Sequence, residues 1–169
     1  MRRTVRLVLP ILGLLIPPVL GAQAGARHLF PVDSIPWREG PRGMATADID
    51  GDTRGTGHYS FAMRLPDGAW IAPHFHPNTK NVIVLRGTLL MGHGDSVDVA
   101  SATPLSTGGV AVVPAGTHHY EGARGETIIL LTGTGPMQTT FVDARGRPLP
   151  RPAAQTETDR SLSTRAVHP

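Results

Sequence analysis

Apolar and polar residues alternate in short runs along this chain, and Gly, Pro, Asn or Asp closes most of them. The runs are Met44–Ile49, Tyr59–Leu65, Ala69–His76, Asn81–Arg86, Thr88–Met91, Val110–Val113, Thr127–Thr132 and Thr139–Val142. A two-residue period puts one set of side chains on a core face, and β-branched or aromatic residues suit such a pleated surface. Signals for helices are almost absent. Eight strands at this spacing predict an all-β domain, a sandwich or a barrel.

The ends of the chain read differently. Arg2, Arg3 and Arg6 form a basic head, Leu7 to Leu20 is apolar, and Ala22-Gln23-Ala24 has the small-residue order of a cleavage site. Residues 1–24 therefore predict a secretory signal peptide and an exported, periplasmic or secreted protein. A membrane anchor fits less well, because the apolar run falls short of about 20 residues and is broken by Pro10, Pro17 and Pro18. Residues 25–145 are expected to form the domain, with 25–43 as an extended lead-in that adds an edge strand or covers one end. The stretch 146–169 is Pro-rich and then polar, and predicts a disordered tail. Asp50 to Gly57 reads as a plain loop, lacking the later ligands of a calcium loop, and Ala102 to Thr107 as a surface connection.

Charge changes once the leader is set aside. The chain has 16 Lys and Arg against 13 Asp and Glu, and Arg2, Arg3 and Arg6 account for the difference. With no net charge left and no basic cluster interleaved with aromatics, the composition supports neither nucleic acid nor an anionic membrane as a partner. No cysteine is present, so stability has to come from packing.

The candidate chemistry lies in histidines. In a strand, His74 and His76 share a face with Cα atoms about 6.7 Å apart, a spacing suited to chelating one ion. A third imidazole is available after the turn Pro114-Ala115-Gly116-Thr117, at His118 or His119. Adjacent strand residues point to opposite faces, so only one of these two faces inward. Three neutral nitrogen donors would leave coordination positions open for water or substrate.

These stretches resemble the two motifs of the cupin superfamily, especially its single-domain exported members. Gly68, His74, His76 and Gly87 fall on the first motif, and Gly108, Pro114, Gly116 and His119 on the second. The resemblance implies a double-stranded β-helix, or jelly-roll barrel, and selects His119 as the third metal ligand, with His118 outside or at the barrel mouth. It also implies a small-molecule ligand or substrate and a homodimer. Two positions depart from the motifs: Lys80 stands where a glutamate ligand is expected, and Ala123 where an asparagine is expected.

An ammonium has no lone pair to give a metal. Lys80 either points away, leaving a three-His site, or points inward and repels the ion; the preserved spacing from His76 to Gly87 favours the inward arrangement. The leading expectation is an exported metal-binding cupin with its chemical class open; three-His cupins that activate dioxygen with iron imply that, as an enzyme, it is an iron- or manganese-dependent dioxygenase. The alternatives are a non-catalytic binding module and a metal-dependent isomerase or lyase. The last needs a general base, for which Glu121, sharing a face with His119, is the nearby carboxylate unless it is an exposed strand-end residue. Imidazole ligands suit iron, manganese, zinc and nickel alike.

Overall fold

A computed structural model of the protein describes residues 30–150. The expected signal peptide at 1–24, the start of the lead-in, and the tail from residue 151 lie outside the described residues.

The alternating runs form strands β1 (Arg38–Glu39), β2 (Ala45–Gly51), β3 (His58–Leu65), β4 (Trp70–Phe75), β5 (Lys80–His93), β6 (Thr103–Ser106), β7 (Val110–Val113), β8 (His119–Thr134) and β9 (Thr140–Phe141). All pairings are antiparallel and belong to one curled sheet. Strand β8 is its hub: β3 pairs with its second half, β4 with its first, and β5 runs along both. Inward side chains of Tyr59, Phe61, Leu65, Val82, Val84, Leu89, Met91, Ile129 and Leu131 fill the core.

Three expectations need correction. Residues 103–106, expected to be a surface connection, are a strand paired with Thr88–Met91 of β5; Pro104 and the polar Thr103 and Ser106 hid it, as suits an exposed edge. The runs 81–86 and 88–91 are one strand rather than two, because Gly87 carries the chain through a bulge instead of ending it. Its φ is +80°, and a Cβ there would collide with the Glu126 carbonyl and lie 2.8 Å from Thr127 Oγ1. The bulge switches the inward face from Lys80, Val82 and Val84 to Leu89 and Met91, which a strict two-residue period cannot follow. Backbone order also continues past Arg145, since Asp143 bonds the Arg147 carbonyl and Leu149 bonds Phe141.

The lead-in does supply the edge strand β1, and buries Ile35. Among the described residues no helix is long and apolar enough to cross a membrane.

Candidate metal centre

His74 and His76 lie on β4 and just beyond it, and His119 begins β8, directly opposite His74 in register. The Pro114–Thr117 turn joins the two motifs. Thr117 donates to the Pro114 carbonyl, and Gly116, at φ +74°, donates its N–H to the carbonyl of His76. Proline and a left-handed glycine are what such a turn demands, and it delivers His119 to the strand facing inward.

All three imidazoles are buried, with 3%, 5% and 0% of their surface exposed for His74, His76 and His119. Each is oriented through Nδ1: His74 to the Ala72 carbonyl at 2.8 Å, His76 to the Gln138 carbonyl at 2.8 Å, and His119 to the Thr117 carbonyl at 2.9 Å. A carbonyl only accepts, so Nδ1 carries the proton in each ring, and in the neutral imidazole Nε2 keeps its lone pair. The Nε2 atoms of His76 and His119 are buried without any hydrogen-bond partner.

One ligand nitrogen from each ring lies within 4.8 Å of the others, a spread that a single ion bonded at about 2.0–2.1 Å to each can draw together. Burial, opposed in part by the Glu121 charge, holds His74 below its ordinary pKa. Burial and then the Lys80 charge push His76 down to about 3, and burial and then His74 push His119 down to about 4. All three are thus neutral at physiological pH, the form that binds a metal.

Lys80 points inward, as its place on the Val82 and Val84 face dictates and as the preserved spacing favours, but the expectation of a lone charge repelling the ion lacked its partner. It is paired: Nζ lies 3.6 Å from Glu121 Oε1, and each side chain is 2% exposed. Glu121 is correspondingly not an exposed strand-end residue. Burial alone would raise its pKa, but the Lys80 charge, the largest opposing influence, helps hold the carboxyl below its usual range. Both faces of β8 are covered here because Tyr120, pointing the other way, packs against Trp70 and donates its hydroxyl to the Asp98 carbonyl.

His118 points away from the three imidazoles. Its Nδ1 lies 2.5 Å from Asp95 Oδ1, and its ring stacks on Phe75 at 5.1 Å. His58 and His93 are exposed. The site also uses groups that no motif pointed to. Phe141 lies against His74 at 5.6 Å, and the carbonyls of Ala72, Thr117 and Gln138 orient the rings; any residue has a carbonyl, so the sequence carries no mark of these three. A surface cleft of about 390 Å³ beside Arg42, Pro66, Asp67 and Trp70 contains none of the site residues.

The family model described as the ChrR cupin-like domain matches residues 26–138. Among solved structures, an RmlC-like cupin from Ralstonia eutropha is similar at 18% identity and TM-score 0.58, over 83% of this chain and 88% of that one. A double-stranded β-helix protein from Klebsiella pneumoniae aligns at 19% identity and TM-score 0.56, over 72% and 96%. A candidate acetylacetone dioxygenase from Methylibium petroleiphilum aligns at 16% identity and TM-score 0.56, over 73% and 86%. At such identities these structures establish the fold alone. No curated protein is recognisably similar in sequence.

Proposed function

From a chain that belongs to the family of ChrR cupin-like domains, we propose an exported, metal-dependent dioxygenase that acts on a small organic molecule through a centre built on His74, His76 and His119. One observation carries this reading: three buried imidazoles are held by their Nδ1 protons in the metal-binding tautomer, and two of the remaining Nε2 atoms have no partner. A purely structural histidine cluster has no reason to leave such acceptors unpaired, at a cost of about 1–3 kcal/mol each.

A bound divalent ion of the iron or manganese kind would supply the capacity to bind dioxygen and substrate and to change oxidation state. The residues do the rest. Carbonyls of Ala72, Thr117 and Gln138 hold the three rings through Nδ1 and leave Nε2 as the ligand atom. Phe141 gives the His74 side of the centre an apolar wall. With Lys80 and Glu121 balancing each other, the net positive charge of the centre would be that of the ion, which favours an anionic substrate group such as an enolate.

The test is oxygen uptake by iron(II)-loaded protein, with acetylacetone and other small enolisable carbonyl compounds as first substrates. A dioxygenase places both oxygen atoms in the product, so uptake should match substrate consumed without added reductant. Ligand binding that needs no metal, with no oxygen uptake, would favour the non-catalytic module instead. Anaerobic turnover would favour the isomerase or lyase reading, which the buried Glu121 carboxylate supports as a base. Export is part of the proposal, and detection of Met1 in the exported protein would refute the cleaved leader. A homodimer is also proposed, and sedimentation as a monomer at micromolar concentration would refute it.

A further inference from the structure

We infer that Glu121 is the fourth ligand of the metal centre, so that the second motif supplies the carboxylate that position 80 of the first lacks, and Lys80 serves as its counter-ion. The inference rests on metal binding by the three histidines. It does not depend on the dioxygenase chemistry.

Three observations carry it. Glu121 follows His119 by two residues on β8, and both side chains are buried. Its Oε1 lies 3.7 Å from His119 Nε2, and neither atom has a hydrogen-bond partner. The proton of His119 is engaged at Nδ1 with the Thr117 carbonyl, so Nε2 offers a lone pair, as does the carboxylate oxygen. Two acceptors facing each other in a dry interior repel, and the arrangement becomes favourable when a cation sits between them. Neighbouring ligands on one ion, bonded at about 2.0–2.2 Å, stand about 3 Å apart. Glu121 Oε1 stands 3.7 Å from His119 Nε2 but outside the group of three nitrogens that lie within 4.8 Å of one another, so ligation requires its side chain to rotate towards His74 and His76. Lys80 Nζ, 3.6 Å from the same oxygen, is placed for charge balance rather than for a short hydrogen bond.

The three charges of such a centre explain why a lysine is tolerated beside a dication. Glu121 cancels Lys80, and the centre keeps the net charge of a three-imidazole site while gaining an oxygen donor. The carboxylate comes from β8 and the lysine from β5, so the pair also ties the two motif strands together across the site.

Cobalt(II) binding tests this, read by the visible d–d absorption and by competition with a chromophoric chelator. Glu121→Gln leaves Lys80 unpaired, so the decisive comparison is Lys80→Met, in which only the bound ion balances Glu121, against the double variant Lys80→Met, Glu121→Gln, which has neither charge. The d–d spectrum then separates a ligand from a nearby charge. Loss of outer-shell partners alone costs about 10–100-fold in metal affinity. Removing Glu121 in the Lys80→Met background should therefore weaken cobalt binding at least about tenfold and change the d–d spectrum. Equal affinities and identical spectra for these two proteins would overturn the inference while leaving the three-histidine site standing. Failure of the wild-type protein itself to bind cobalt would overturn both.

Discussion

Replacing Lys80 with methionine tests how strongly the interior depends on its one buried ammonium. Methionine preserves most of the side-chain volume, so the main effect is electrostatic: Glu121 stays in place without its partner. At the observed 3.6 Å and an effective dielectric constant of about 20, the lost attraction is about 4–5 kcal/mol. That agrees with the roughly 3–5 kcal/mol measured when one partner of a buried pair is removed. For a domain of this size, the loss corresponds to a fall in melting temperature of roughly 10–20 °C. The assay is thermal unfolding of both proteins at pH 7 with chelator present, then with a saturating divalent metal. Without metal the variant should melt well below wild type. With metal the gap should narrow, because the ion replaces the ammonium as the carboxylate's counter-charge. Lowering the pH should narrow it also: without Lys80, burial raises the pKa of Glu121 in the folded variant, and protonation then removes the lone charge. Equal melting temperatures in chelator would show that the pair contributes nothing, and would refute the electrostatic account of the site.

Alanine at His119 should abolish metal binding, whereas alanine at His118, whose ring pairs with Asp95 and stacks on Phe75, should leave metal content within about twofold; elemental analysis distinguishes them, and the reverse order would show a register error of one residue. The metal-free protein should lose stability on acidification. His76 and His119 have folded pKa values of about 3 and about 4, below the unfolded value near 6.5, so the unfolded chain binds more protons as pH falls below 6.5. Each then contributes a loss of about 1.4 kcal/mol per pH unit down to its folded value. Glu121, with its pKa lowered, works in the same direction at still lower pH. Urea unfolding at pH 7 and pH 5 checks this, and a flat profile would contradict the burial of neutral imidazoles. Gly87→Ala should cost upwards of about 2 kcal/mol, from a left-handed φ and a collision with the Glu126 carbonyl; a wild-type urea midpoint would show that the bulge tolerates a side chain.

Several features of this protein are local enough to be read from sequence. Strand character follows from a two-residue period, which needs no knowledge of neighbours, and so Tyr59–Leu65 and Val110–Val113 were visible at once. The His74-x-His76 pair and the Pro114 turn before His119 are likewise short-range devices, with residue type and spacing stating the geometry. The inward aim of Lys80 could be inferred from preserved spacing.

Its partner could not. Glu121 meets Lys80 only because β5 and β8 pair along their length and Gly87 shifts the inward face midway, and no local pattern encodes which strands lie side by side. The carbonyl of Gln138, 62 residues from the His76 ring it orients, is a backbone group common to every residue, and only the fold brings it there. Sequence thus determined which groups are able to bind a metal, whereas tertiary structure decided their protonation, their orientation and the charge beside them. Those properties depend on burial and on distances across strands, and electrostatic energies in a dry interior change steeply with both.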